Sequence, residues 1–148
     1  MRKIIAFLFL EWPARRHTMA QMGETLARGG KALGQRFEKL SDSERNRQVL
    51  NHIIGIERWG HSRLRVALGE ALVRDEYNGY RPARETDWPS LKQQFKETRE
   101  VTIVLAQQLD QAGMASRKVW HNMYGEITVK GWLRYLNVHA NLESKKMR

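Results

Sequence analysis

The chain has 148 residues, 41% of them hydrophobic, which is enough for one domain with its own core and too short for two comfortable ones. Lysine and arginine number 26 against 16 aspartate and glutamate, so phosphate, acidic thiols, nucleic acid and anionic lipid all meet an attractive potential. The absence of cysteine excludes disulfides, thiolate metal sites and cysteine nucleophiles, and any metal must be held by nitrogen and oxygen.

The opening "MRKIIAFLFLEWPARR" has a basic start and a seven-residue apolar run, too short to span a bilayer. It has the outline of an export signal without the small-residue cleavage site. Residues 1–18 are therefore read as an extension, either an apolar segment docked on the core or residues upstream of a start at Met19 or Met22, and export ranks last. Residues 19–148 form the expected domain.

From Met19, apolar residues at Met22, Leu26, Leu33, Phe37 and Leu40 follow the three-and-four alternation of an amphipathic helix. Gly29-Gly30 interrupts this stripe, which predicts close packing of a neighbour or a bend. Ser41 with Glu44 spells a capping box for a second helix. Its apolar face runs through Leu50, Ile53, Leu64, Leu68 and Leu72 toward the loop "RDEYNGYRPARETDWP", where Asn78-Gly79 and two prolines break the pattern. Thr86 or Asp87 caps a third helix opening near Pro89, with a stripe of Leu91, Phe95, Thr98, Thr102, Leu105 and Leu109 that ends at Gly113. The segment "MASRKVWHNMYGEI" reads as a structured loop, and Thr128 as the N-cap of the last helix. No strand-like alternation of useful length appears. The expected fold is all-α, an antiparallel four-helix bundle.

On the last helix Val129, Trp132, Leu136, His139 and Glu143 recur at spacings of three and four, so all five share one face. A histidine and a carboxylate at i and i+4 can grip one ion, and together they suit zinc, nickel, iron or manganese. An unpartnered carboxylate would be costly on an apolar stripe. Against that, Glu143 lies five residues from the C-terminus, where a frayed helix end would turn it to water. A further ligand is available on the second helix in "NHIIGIERWGHSRL", from His52, Glu57 or His61. Periodicity does not choose among these three, and for each the plainer role is a surface histidine or a glutamate paired with Arg58 or Arg65.

"HIIGIERWGHSRL", "DEYNGYRPARETDWPSLKQQFKETREVTIVLAQQL" and "HNMYGEITVKGWLRYLNVHANLE" together resemble the DinB/YfiT-like superfamily of metal-binding four-helix bundles, over roughly residues 20 to 148. The anchors are a histidine opening the second helix's core run with glutamate five places on, the Leu-x-x-x-Phe-x-x-x-Arg third helix, and a histidine and glycine before the last helix. The fourth anchor is a histidine with a ligand four residues later. The resemblance implies a divalent metal held by His52, His139 and the position of Glu143. Glutamate there departs from the family's usual histidine and shifts preference toward harder ions. Zinc or nickel is the expected metal, with iron or manganese compatible. His121 resembles the family's histidine before the glycine, with a loop-tying hydrogen bond as its expected role, and His17 lies outside the resemblance.

The resemblance further implies a cytoplasmic, homodimeric enzyme that activates a low-molecular-weight thiol and presents it to an electrophile, as a thiol S-transferase does. Trp59, Trp120, His121 and Tyr124 are then candidates for the pocket wall, and Arg63 for an acidic thiol's carboxylates. The alternative is a non-catalytic, stress-related helical protein that dimerises or binds a partner, its metal serving folding. Basic residues are spread along the chain with no helix-turn-helix, zinc-finger or aromatic-basic platform, so neither specific nucleic-acid binding nor a membrane partner is expected.

Overall fold

A computed structural model describes residues 1–148 as a mostly helical chain. Helices α1 (Arg2–Ala6) and α2 (Trp12–Arg15) are joined by a π-helical turn, Phe7–Glu11. Four long helices follow: α3 (Met19–Lys39), α4 (Glu44–Val66), α5 (Trp88–Gln111) and α6 (Val129–Ser144). A two-stranded antiparallel hairpin, β1 (Lys118–His121) with β2 (Gly125–Thr128), stands before α6 and pairs Lys118 with Thr128 and His121 with Gly125. No helix is long and apolar enough to cross a membrane.

Each long helix starts at a side-chain cap that satisfies one of its free N–H groups. Thr18 accepts from the Gln21 N–H while the Gln21 side chain returns to the Thr18 N–H, a full capping box. Ser43 caps α4, Asp87 caps α5 and Thr128 caps α6. The cap of α4 is thus Ser43 in place of Ser41, because Ser43 is the residue whose hydroxyl reaches the Asn46 N–H.

Helices α3 and α5, α4 and α5, α4 and α6, and α3 and α6 pack against one another. The core lies in two apolar groups. One centres on Phe37, Leu50, Ile53, Leu91 and Phe95, and the other on Leu26, Trp59, Leu64, Trp132 and Leu136. The glycine pair of α3 marks a close approach, as the sequence suggests. A Cβ on Gly29 would lie 2.5 Å from Asn137 Oδ1, and one on Gly30 would lie 2.7 Å from Arg99 Cγ.

Three further expectations need correction. Helix α4 stops at Val66, and Leu68 and Leu72 lie beyond it, exposed, because the chain turns at Ala67–Gly69. The stretch before α6 is a hairpin; its strands have four residues each, too few for alternation to show. Glu57 pairs with neither Arg58 nor Arg65. Its carboxylate accepts from Arg99 Nε at 2.6 Å and Arg99 Nη2 at 3.0 Å, with both side chains almost fully buried. Arg58 turns instead to Gln94 and Thr98.

Arg99 also donates to the Leu26 carbonyl and to Asn137 Oδ1, so one guanidinium on α5 ties together α3, α4 and α6. Removing one member of a buried ion pair leaves the other charged and unmatched. Glu57→Ala is therefore expected to lower the unfolding free energy by about 3–5 kcal/mol in urea titrations. A loss within about 0.5 kcal/mol, the range of an ordinary surface substitution, would remove this cluster from its structural role.

Candidate metal centre

His52 projects from the third turn of α4 and His139 from the third turn of α6, both half-buried. These helices are held closely at one point. A Cβ on Gly60 would stand 2.6 Å from Leu136 Cδ2, so only glycine lets Leu136 lie flat on α4. One turn along, Trp59 meets Trp132 edge-on with centroids 5.3 Å apart. His52 Nε2 and His139 Nε2 come within 3.2 Å. Ligand atoms of His52, His139 and Glu143 all lie within 4.8 Å of one another.

The end of α6 is not frayed. Buried Asn46 at the start of α4 donates to the Arg148 carbonyl and accepts from the Arg148 N–H. Arg45 reaches the Lys146 carbonyl and Arg36 the Ser144 carbonyl, while Met147 is buried. Glu143 is consequently held at the site with its side chain only 20% exposed. Its carboxylate accepts from Lys146 Nζ at 2.9 and 2.8 Å.

Burial pushes the His139 imidazole down to about 4, with His52 adding to the shift and Glu143 opposing it. His52 is also lowered, first by burial and then by Arg81 and Lys146, against the pull of Glu143. Burial works to raise the Glu143 carboxyl, but the Lys146 hydrogen bond and the charges of His139, Lys146 and His52 outweigh it, and the group sits below the usual carboxylate range. At neutral pH the trio is thus two free imidazoles and a carboxylate, the protonation state a metal requires.

The spacing fits an ion. Two nitrogens bound to one tetrahedral zinc at about 2.0–2.1 Å stand about 3.3 Å apart, close to the 3.2 Å between the imidazoles. Without a cation the same contact needs a proton on one ring and a lone pair on the other. The carboxylate must leave Lys146 to complete the set, and an ion pair with a lysine 60% exposed is weakly held.

Around the trio, Tyr77 meets His52 edge-on at 5.0 Å and Tyr135 tilts over His139 at 5.8 Å. Tyr135 stands four residues before His139 on the same helical face, so its place was available from periodicity. Tyr77 and Arg81 come from the loop after α4 and carried no such signal.

The other candidates separate from the trio. His61 is buried at 4% exposure, with Nε2 2.7 Å from Thr102 Oγ1, whose hydroxyl in turn reaches Glu57 Oε1. His61 and Glu57 thus belong to the Arg99 cluster. His121 Nδ1 accepts from the Met123 and Tyr124 N–H groups, the loop-tying role expected of it. Its Nε2 is buried without a partner among Trp59, Tyr124, Trp132 and Tyr135. Trp120 faces Arg74. Arg63 is no surface arginine. At 1% exposure its two terminal nitrogens bind the Val73 and Asp75 carbonyls, the Asp75 carboxylate and Asn122, and so it anchors the loop after α4, with its Nε buried and unpartnered.

These features define a helical protein with a two-histidine, one-carboxylate cluster that could hold a metal ion. In comparisons with known proteins, no family model, curated protein or solved structure matches the chain.

Two predictions follow from this geometry. His61, His121 and His139 are pushed by burial to about 4, about 3 and about 4, from 6.5 in the unfolded chain. Between pH 6.5 and about 3 the unfolded state binds protons that the folded state refuses, so stability is full above this window and falls as pH drops through it. The thermal midpoint of metal-free protein is expected to decline across that range, and a flat profile would mean the rings are solvated. Gly60→Val, which forces Leu136 off α4, is expected to cost about 1–3 kcal/mol and to lower metal content with every ligand intact. Unchanged metal content on elemental analysis would disconnect the α4–α6 contact from the site.

Proposed function

We propose that the chain is a metal-binding protein of the DinB/YfiT-like kind, a four-helix bundle whose His52, His139 and Glu143 hold one divalent ion and activate a low-molecular-weight thiol for transfer to an electrophile. The observation that carries this reading is the convergence of three donor atoms from two helices at a separation suited to one ion. Zinc or nickel suits two imidazoles and a carboxylate, and iron or manganese is compatible with the harder oxygen donor.

His52, His139 and Glu143 would hold the metal with coordination positions left open, and the metal would supply the Lewis acidity that lowers a thiol's pKa. The chain's own groups supply the rest. Tyr77 and Tyr135 wall the ligand side of the imidazoles. Burial raises the Tyr135 phenol pKa, which keeps its hydroxyl protonated as a hydrogen-bond donor. Arg81 and Lys146 are the cations whose charge reaches His52, and they take the place first considered for Arg63 in receiving an acidic thiol's carboxylates.

The test is elemental analysis of the purified protein beside His52→Ala and Glu143→Ala, followed by thiol conjugation with an activated aryl halide. One equivalent of metal is expected in the parent. His52→Ala is expected to weaken binding beyond the roughly 10–100-fold that loss of a supporting partner costs. Conjugation is expected to vanish on chelation and return with metal. Equal metal content in all three proteins sinks the site. Bound metal whose removal lowers the melting point, with no turnover for any thiol, assigns it to folding alone, a role favoured by ligands 87 residues apart in sequence.

A further inference from the structure

The N-terminal segment is polarised in an unusual sense, with its acid facing inward and its large apolar side chains facing out. Ala6, Leu10 and Ala14 are buried against the body of the protein, at intervals of four residues. A four-residue repeat drifts around a helix of about 3.6 residues per turn, and the wider π turn at Phe7–Glu11 takes up the excess. Glu11, the one acidic residue among the first 18, is buried with them. Its carboxylate accepts from the Thr128 N–H at 2.7 Å and the Thr128 hydroxyl at 2.9 Å, so the segment is fastened to the start of α6.

What remains outside is apolar and cationic. Ile4, Phe7, Leu8, Phe9 and Trp12 are 43–65% exposed. Arg2 and Lys3 precede this face, and Arg15 and Arg16 follow it. The Arg15 guanidinium lies 5.4 Å from the Phe7 ring and that of Arg16 lies 4.0 Å from the Trp12 ring, so both charges stand at the edge of the apolar face. Lys130 and Arg134 of α6 bond the His17 and Phe9 carbonyls and extend the same basic rim.

We propose that this face seats the protein on an anionic lipid bilayer, with Phe9, Leu8 and Trp12 entering the headgroup region and the arginine and lysine rim meeting lipid phosphates and carboxylates. Aromatic and aliphatic side chains ringed by cations fit that interface, and a patch of this kind on a lone protein marks an interaction site. Charge decides among occupants. A second copy would bring two basic rims together in a chain of net charge +10, whereas anionic lipid neutralises them. The segment lies on the surface and does not span it, being fastened through Glu11 and too short to cross. This reverses the expectation of no membrane partner.

The test is co-sedimentation of the full chain with vesicles of phosphatidylcholine alone and with added phosphatidylserine. Parallel samples carry Phe9→Asp and, as a control of equal charge change at an exposed valine on α5, Val104→Asp. Binding to the serine-containing vesicles is expected, with little to the neutral ones. Phe9→Asp is expected to weaken binding at least about tenfold while Val104→Asp binds as the parent does, circular dichroism showing all three folded. Equal weakening by the two substitutions would reduce the effect to bulk charge and overturn the proposal, as would absence of binding to anionic vesicles. A dimer by light scattering that Phe9→Asp returns to monomer, without vesicle binding, would overturn it in favour of a second copy.

Discussion

The contact on which the site depends is the approach of α4 to α6 at Gly60 and Leu136. With no side chain on Gly60, the leucine lies against the α4 backbone, and the Trp59–Trp132 pair beside it fixes the rotation of one helix about the other. His52 is two turns from Gly60 along α4 and His139 is three residues beyond Leu136 on α6, so the imidazoles inherit their separation from that contact. The Glu57–Arg99 ion pair then sets α5 and α3 around it through Leu26 and Asn137. A buried pair of this kind adds little net stability, but it allows few alternative packings, since any slip of α5 strands a charge.

The same exclusion of water that makes the Glu57–Arg99 pair necessary prepares the histidines. His139, His61 and His121 all lose their protons because burial disfavours the charged ring, yet the outcomes differ. His61 passes its hydrogen bond into the Glu57 cluster through Thr102, and His121 spends one nitrogen on the hairpin turn. Only His139 faces a second imidazole and a carboxylate. Low proton affinity is therefore shared by all three rings, and the convergence of donors sets His139 apart.

Much of this was legible in the sequence, for physical reasons that also explain what was not. Caps at Asp87 and Thr128 and the stripe from Leu91 to Leu109 are local properties, written within a turn or two of the residues that express them. The shared face of His139 and Glu143 is of the same kind. His52 was different. Periodicity left it level with Glu57 and His61, and the resemblance separated them before the geometry brought His52 to His139. The hidden features are those that depend on distant partners. Arg63, a candidate in the sequence for an acidic thiol's carboxylates, is instead occupied by the loop at Val73–Asp75 that folds back over it. The supposed fraying at Glu143 disappears because Asn46, about a hundred positions away, clamps the last residue. Leu68 and Leu72 continue the apolar pattern of α4 past its end, since hydrophobic spacing does not register where a chain turns.

Helix α6 is where these strands of argument meet. Its first turn has free N–H groups and the positive end of the helix dipole, and Glu11 is drawn there, to the cap residue Thr128, which also accepts from the Gly131 N–H. Its last turns carry His139 and Glu143, and its C-terminal end is tied to α4 and α3. One sixteen-residue helix thus receives the N-terminal segment at one end and carries His139 and Glu143 at the other. The start of α6 is thus tied to the N-terminal segment through the buried Glu11 carboxylate, and its later turns bring His139 beside His52 through the contact over Gly60.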